Sequence, residues 1–233
     1  MGTSRASDTS GSTFTQLKRR DQLVDCTIDA IAEMGFARAS VAEVGRRAGA
    51  SKGVVTYHFP AKNDLIRAVI DDVLASMREY LEPRLYAAKP LEFPERFIAA
   101  YVTEWAGYYR THSRQVLALV RIYNSFRDES GRPNPAFDVR AEDIAIVVRV
   151  LRHGQDMGRL GNFDAQVMAA VMKAALDDLL TQFANNPELD LESYAAALVA
   201  LFERATRPYP DANTPIGTGP VPTLRGGTDE AIL

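Results

Sequence analysis

The chain has little of what metal, redox or covalent chemistry requires. Cys26 is the only cysteine in 233 residues, which excludes an internal disulfide and suits a reducing cytoplasm. Its three histidines, His58, His112 and His153, lie far apart with no partner at ligand spacing, so no metal site is expected. The sequence has no G-x-S-x-G elbow, P-loop or dinucleotide fingerprint, so it offers no catalytic residue and no cofactor site. No apolar run approaches the length of a membrane span. The opening MGTSRASDTSGSTFT lacks the apolar core of a signal peptide, and Ala6 breaks the myristoylation pattern. These absences lead to the expectation of a cytoplasmic protein that is neither an enzyme nor a membrane protein.

A basic excess is missing as well, since the net charge is −3. The average hides an asymmetry. Residues 1–65 carry nine Lys/Arg against seven Asp/Glu, and the remainder carries 18 against 23. A mildly basic N-terminus ahead of acidic bulk suits a protein that meets nucleic acid at one end. With 46% hydrophobic and 24% charged residues, the chain has the material for one large core, or for one small and one medium core.

No repeat and no strand-period alternation is present, so the fold class is all-α. Residues 1–14 are rich in Ser, Thr and Gly and read as a disordered tail. Helical spacing begins near Thr15 and runs to Met34, with Leu17, Val24, Ile28 and Ile31 facing a small core. A long helix follows from Lys62 to about Leu85, ended by Glu82-Pro83 and Lys89-Pro90. Its apolar stripe, Ile66 to Leu81, outruns a small domain, so this helix bridges two. Further helices are expected near Pro94–His112, Ser113–Arg127, Arg140–Met157, Asp164–Asn185 and Asp190–Arg207, with a loop at 129–135. The IAIVV run makes Arg140–Met157 the candidate central buried helix. The tail 207–233, with its prolines and glycines, reads as unfolded. The domains are thus 15–65 and 66–206, flanked by two tails.

The richest stretch is GFARASVAEVGRRAGASKGVVTYHFPAKNDL, residues 35–65. Ser40 caps a short helix, with Glu43 three residues on completing a capping box. Val41, Val44 and Ala48 lie on its inner side. Gly49-Ala50 makes a turn, Ser51 caps a second helix from Lys52 to Phe59, and Pro60 punctuates before Lys62. A tight helix-turn-helix has one dominant use, setting its second helix in the DNA major groove.

The wording of this stretch, over roughly Lys18 to Ala68, resembles the DNA-binding end of the TetR family of one-component regulators. The Gly35-Phe36 link, the Ala48-Gly49-Ala50-Ser51 turn, the Tyr57-His58-Phe59 run and the Lys62/Leu65 pair all fit. Many members have two aromatics before the His-Phe pair. Here the first is Thr56, so the operator is not copied from relatives. The stretch HGQDMGRLGNFDAQVMAAVMKAALDDLL is similar to the second half of many TetR-like effector domains. The resemblance implies an N-terminal helix-turn-helix domain followed by a larger helical effector-binding and dimerisation domain. It also places the four-helix bundle of a homodimer in the last two helices.

Within the helix-turn-helix, Lys52 suits guanine O6 or N7, Gly53 lets the backbone approach, and Val54 suits a thymine methyl. Thr56 reaches a base edge or a phosphate. Tyr57 and His58 are placed for phosphates, with core packing the competing reading for His58. Ser40, Ser51 and Lys62 are phosphate-positioning candidates, the serines doubling as caps. Arg38, Arg46 and Arg47 add charge or form a solvated face.

A regulator of this build needs a partner copy and an effector site. The stripe Met172, Leu176, Leu179 and Phe183, with Tyr194, Leu198, Leu201 and Phe202, is the candidate dimer interface, core packing being the competing reading. The aromatic helix Pro94–His112 supplies Tyr101, Glu104, Trp105 and Tyr108, and the next helix Arg121 and Asn124, as candidate contacts to an unidentified small-molecule effector. These aromatics also fit a plain core. The expected function is a ligand-responsive repressor that binds a palindromic double-stranded DNA operator as a homodimer and is released by its effector. The alternative is a ligand-independent DNA-binding protein, or an activator, controlled by a protein partner.

Overall fold

The structure is a computed structural model that describes residues 8–125 and 139–208, with the side chains of 8–14 and 139–143 left aside. The expected loop at 129–135, residues 1–7 and the tail beyond 208 lie outside the described residues. Helices follow in the order α1 (Asp8–Met34), α2 (Val41–Ala48), α3 (Lys52–His58), α4 (Lys62–Ala87), α5 (Pro94–Thr111), α6 (Ser113–Ser125), α7 (Val139–Asp156), α8 (Ala165–Asn185) and α9 (Leu191–Ala205). No strand occurs among the described residues. The all-α expectation holds.

Helix α1 starts at Asp8, seven residues ahead of the predicted Thr15. Leu23, Val24, Ile28 and Ile31 bury against Val44, Val55, Phe59 and Leu65. Leu17 was expected in this core but is 55% exposed. It lies two turns before Val24, beyond the part of α1 that α2 and α4 cover. The Thr27 hydroxyl, buried in the same face, donates to the Leu23 carbonyl at 2.6 Å.

Helix α4 leaves this small bundle and continues into the second one. Ile66, Val69, Ile70, Val73, Met77 and Leu81 are all buried, as the apolar stripe predicts. Pro83 does not end the helix, which runs on to Ala87. Proline costs one N–H bond to the Glu79 carbonyl. The next residue offsets this, since Arg84 bonds the Tyr80 carbonyl at 2.7 Å and lies 3.8 Å over the Tyr80 ring. The chain turns only at Ala88-Lys89, where Lys89 takes φ 49°.

The central helix is α5 rather than α7. Pro94 opens α5 at a position where its missing N–H is harmless. Phe97, Ile98, Tyr101, Val102, Trp105, Ala106, Tyr108 and Tyr109 are buried on it, and it packs against α4, α6, α7, α8 and α9. Helix α7 packs mainly on α5 and α8. Its IAIVV run is split, with Val147 and Val148 buried and Ile146 45% exposed. An apolar run longer than the buried arc leaves its surplus on the surface. Asp164 caps α8 by accepting from the Gln166 and Val167 N–H groups, and Asp190 caps α9 in the same way from Glu192 and Ser193.

Candidate nucleic-acid interface

Local hydrogen bonds shape the α2–α3 corner. The Ser40 hydroxyl accepts from the Glu43 N–H at 3.2 Å, and Ser51 accepts from Val54 N–H at 3.3 Å. Both predicted caps therefore form. The predicted capping box forms only on this side. The Glu43 carboxylate, instead of returning to the cap, takes two bonds from Arg46 and one from Arg47. Bonds between two charged groups outcompete one to a neutral N–H, and the Ser40 N–H already donates to the Arg38 carbonyl at 2.8 Å. The reciprocal bond appears at α4, where the Ala61 N–H donates to Asp64 at 3.0 Å.

Gly49 ends α2 at φ +61° in the left-handed region, which no side chain but glycine enters cheaply. The Ala50 N–H then closes onto the Gly45 carbonyl at 2.8 Å. Gly45 allows this close approach, since a Cβ there would stand 2.8 Å from the Ala50 carbonyl oxygen. With the corner set, Val55 and Phe59 on α3 turn inward and are buried. Lys52, Gly53, Thr56 and Tyr57 share the opposite face and are exposed, Tyr57 at 71%. Val54 and His58 are half-buried at its borders, and the His58 ring meets Tyr57 edge-on at 5.2 Å. The Thr56 hydroxyl donates back to the Lys52 and Gly53 carbonyls, both at 3.1 Å, leaving its lone pairs outward.

The cations around this face divide by employment. Lys52 stands in solvent at the start of α3. Arg47 is spent inside the bundle, bonded to Glu33 and Glu43 at 2.8 Å each, and Arg46 is bonded to Glu43. These bonds push the Arg47 guanidinium further up and hold the Glu43 carboxyl down to about 2. Lys62 does not point outward as expected. Its ammonium donates to the Phe36 carbonyl at 3.3 Å and sits 4.6 Å over the Phe36 ring, and burial lowers its pKa. It fastens α4 to the link after α1.

The predicted effector contacts do not converge on a cavity. Tyr101, Trp105 and Tyr108 are core residues, 1%, 6% and 0% exposed. Tyr108 stacks on His112 at 4.3 Å, and its hydroxyl donates to Ser76 at 3.2 Å. The Trp105 Nε1–H is buried with no acceptor among the described residues, and the Lys173 ammonium lies 5.6 Å from its ring. Glu104 faces Arg84 at 3.6 Å, and Asn124 is exposed at the end of α6. Arg121 is committed elsewhere, bonding the Ile31 and Ala32 carbonyls at the end of α1, at 3.0 and 2.8 Å. A cleft of about 320 Å³ does open, between α1, α6 and the end of α8, and none of the six lines it.

The predicted dimer stripe is mostly internal. Met172, Leu176 and Leu179 are fully buried, Phe183 is 9% and Phe202 2% exposed, all within this one chain. They are buried among the chain's own helices, so they are corrected to core. Tyr194 and Leu198 are half-buried and Leu201 is 58% exposed. The open apolar positions of α8 lie on the opposite side from the buried stripe, at Val167 (58%) and Val171 (51%). An alternating 3-4 pattern marks an apolar helix but does not say which of two apolar faces meets its own core.

Among the described residues no group of His, Cys, Asp and Glu could hold a metal ion, and no helix is long and apolar enough to cross a membrane. Residues 23–69 match the family described as "Bacterial regulatory proteins, tetR family". The HTH-type transcriptional regulator BetI of Klebsiella pneumoniae (strain 342) is 42% identical over 69 residues, 30% of this chain and 35% of that protein. The chain thus aligns with about a third of that relative's length. Two solved structures extend the likeness to the whole architecture. A TetR transcription regulator from Haloarcula marismortui is 17% identical with a TM-score of 0.69, over 82% of this chain and 99% of that one. The transcriptional regulator FadR from Bacillus subtilis, in complex with stearoyl-CoA, is 17% identical with a TM-score of 0.63, over 78% of this chain and 96% of that one. At this identity the likeness is one of fold.

Proposed function

We propose that this chain, whose residues 23–69 match the tetR family of bacterial regulatory proteins, is a cytoplasmic, ligand-responsive repressor of transcription. The observation that carries this reading is the outward face of α3. Lys52, Gly53, Thr56 and Tyr57 project together while Val55 and Phe59 anchor the helix from behind. A base-reading helix needs that division between projecting and anchoring sides. Ser40 and Ser51 sit exposed at two adjacent helix starts, where backbone N–H groups suit phosphate. Lys62 acts indirectly, by holding α4 against Phe36.

One such helix contacts only a few base pairs, so a second copy is required for useful specificity. Val167, Val171, Tyr194, Leu198 and Leu201 form the open apolar face of α8 and α9 that a twofold partner covers. The two recognition helices then read half-sites one helical turn apart, about 34–36 Å. An effector favours the dimer shape that fits the operator poorly, and DNA weakens effector binding by the same factor.

The test is selection of binding sites from random duplexes, followed by titration of the enriched sequence. A palindrome whose affinity falls steeply with salt is expected. Enrichment of no sequence would remove the reading. The close packing of Tyr101, Trp105 and Tyr108 favours a second reading, control by a protein partner without a small molecule. Release of the selected DNA by some small molecule, against release by none, separates the two.

A further inference from the structure

We propose that Thr56 reads an A·T pair by accepting a hydrogen bond from the adenine amino group, within two base pairs of the base that Lys52 contacts. This deepens the function proposed above and rests on it, since α3 must lie in a major groove. The decisive point is the polarity of the Thr56 hydroxyl. A hydroxyl has one proton to give and two lone pairs. The Lys52 and Gly53 carbonyl oxygens, both 3.1 Å from Thr56 Oγ1, can only accept, so the proton lies between them. What the exposed side chain keeps for a partner is lone-pair density and the γ-methyl. Turning the proton outward would forfeit both carbonyl bonds. Thr56 therefore meets a base edge as an acceptor beside an apolar group.

Each base pair shows the major groove a different pattern. Guanine presents two acceptors, O6 and N7, and would set lone pair against lone pair. Adenine and cytosine each present an amino donor. The A·T pair adds a methyl group, on thymine, which suits the Thr56 γ-methyl. An A·T pair thus uses both features of the side chain, and a C·G pair uses one. Lys52 has the opposite polarity, with donors and no acceptor, which suits guanine. The two residues are four apart, about 6 Å along the helix axis, against about 3.4 Å per base pair. The pairs that they read therefore lie within two steps of each other.

Gly53 supplies an independent observation on the same face. It is exposed, and among the described residues a Cβ there would meet only Ser51 Oγ, at 3.7 Å. Its φ is not positive, unlike that of Gly49. Nothing described within the chain calls for glycine, which weakens a helix relative to alanine. A surface that closes on α3 between Lys52 and Thr56 does call for it. That close approach is what lets a side chain as short as threonine reach a base edge.

The experiment compares the duplexes that the wild-type chain and Thr56→Val select from one random pool, with circular dichroism to report each fold. Valine keeps the shape and a methyl but accepts nothing. A loss of preference confined to one A·T pair per half-site is expected. Anisotropy titration on the wild-type operator then uses altered bases at that pair. Purine in place of adenine removes the amino group and should weaken wild-type binding about fivefold to tenfold. Uracil in place of thymine removes the methyl and should weaken it about twofold to fivefold. Thr56→Val should lose the first penalty and keep the second, and Thr56→Ser the reverse. Gly53→Ala should melt no lower than the wild type and yet bind the operator about tenfold more weakly. Unchanged selection by Thr56→Val, a change confined to a G·C pair, an undiminished purine penalty in Thr56→Val, or undiminished binding by Gly53→Ala would each overturn the proposal and leave the DNA reading standing. Enrichment of no sequence by the wild-type chain would remove both.

Discussion

Glu43 lies between two guanidinium groups, with Arg46 at 2.7 Å and Arg47 at 2.8 Å, and its carboxyl is held down from 4.5 to about 2. A carboxyl lowered on folding stabilises the folded state above its ordinary pKa and loses that contribution as pH falls. The contribution of Glu43 is thus whole above pH 4.5 and fades towards about 2. A carboxyl titration followed by NMR should give a midpoint near 2, and Glu43→Gln should remove the matching pH dependence of stability. An ordinary midpoint would mean that the double bridge is not kept in solution. Two lysines make a second contrast at this scale. Lys52→Ala should cost the selected operator roughly 1–3 kcal/mol and relax preference at one base pair, measured by anisotropy against substituted duplexes. Lys62→Met should instead lower the melting temperature and leave the salt dependence of DNA binding unchanged, because the ammonium is turned onto Phe36. Serine caps were legible in the sequence because a cap depends on three neighbouring residues. The partners of Glu43 and Lys62 were not, because they depend on which of several acceptors folding brings near.

At the scale of elements, the α2–α3 corner depends on two glycines for different reasons. Gly49→Ala strains a left-handed residue and should cost about 1–2 kcal/mol. Gly45→Ala drives a Cβ into backbone at 2.8 Å, so α3 must shift, and operator binding should fall more than the loss of global stability explains. Denaturant unfolding set beside operator titration distinguishes the two effects. The corner was readable because its signals are local: a cap, a glycine turn, a second cap. Pro83 does not stop α4, because the burial of Leu81 and the half-burial of Leu85 in the same helix offset the lost N–H bond. The central role of α5 was hidden for another reason. Composition made α7 look more apolar, but which helix becomes central is fixed by how many neighbours surround it, and that is a property of the assembled bundle. Arg121 belongs here as well. It closes the end of α1 from α6, bonding the Ala32 carbonyl, which helix geometry leaves open, and sharing the Ile31 carbonyl with the Gly35 N–H. Arg121→Met should cost roughly 1.5–3 kcal/mol, with faster amide exchange at the end of α1 as the local signature.

For the molecule as a whole, the open and the buried apolar faces of α8 and α9 call for opposite outcomes from similar substitutions. Leu201→Glu combined with Val171→Glu should leave a folded chain that sediments as a monomer, since both positions are open. Met172→Glu should unfold it, since that residue is sealed within the chain. Sedimentation and circular dichroism together tell these apart, and a dimer that survives the double variant would move the partner elsewhere. The sequence could announce two apolar stripes but could not say which one the chain keeps for itself. The core also contains an optical reporter. Trp105 is the only tryptophan, it is 6% exposed with its Nε1–H unpaired among the described residues, and Tyr101 and Tyr109 flank it at 6.3 and 5.7 Å. Its emission therefore comes from one buried, known place and should lie to the blue, fed by energy transfer from the neighbouring tyrosines. A molecule that enters the second bundle and offers that N–H an acceptor will shift the emission to the red without any label, whereas one confined to the α1–α6 cleft will leave the spectrum where it was.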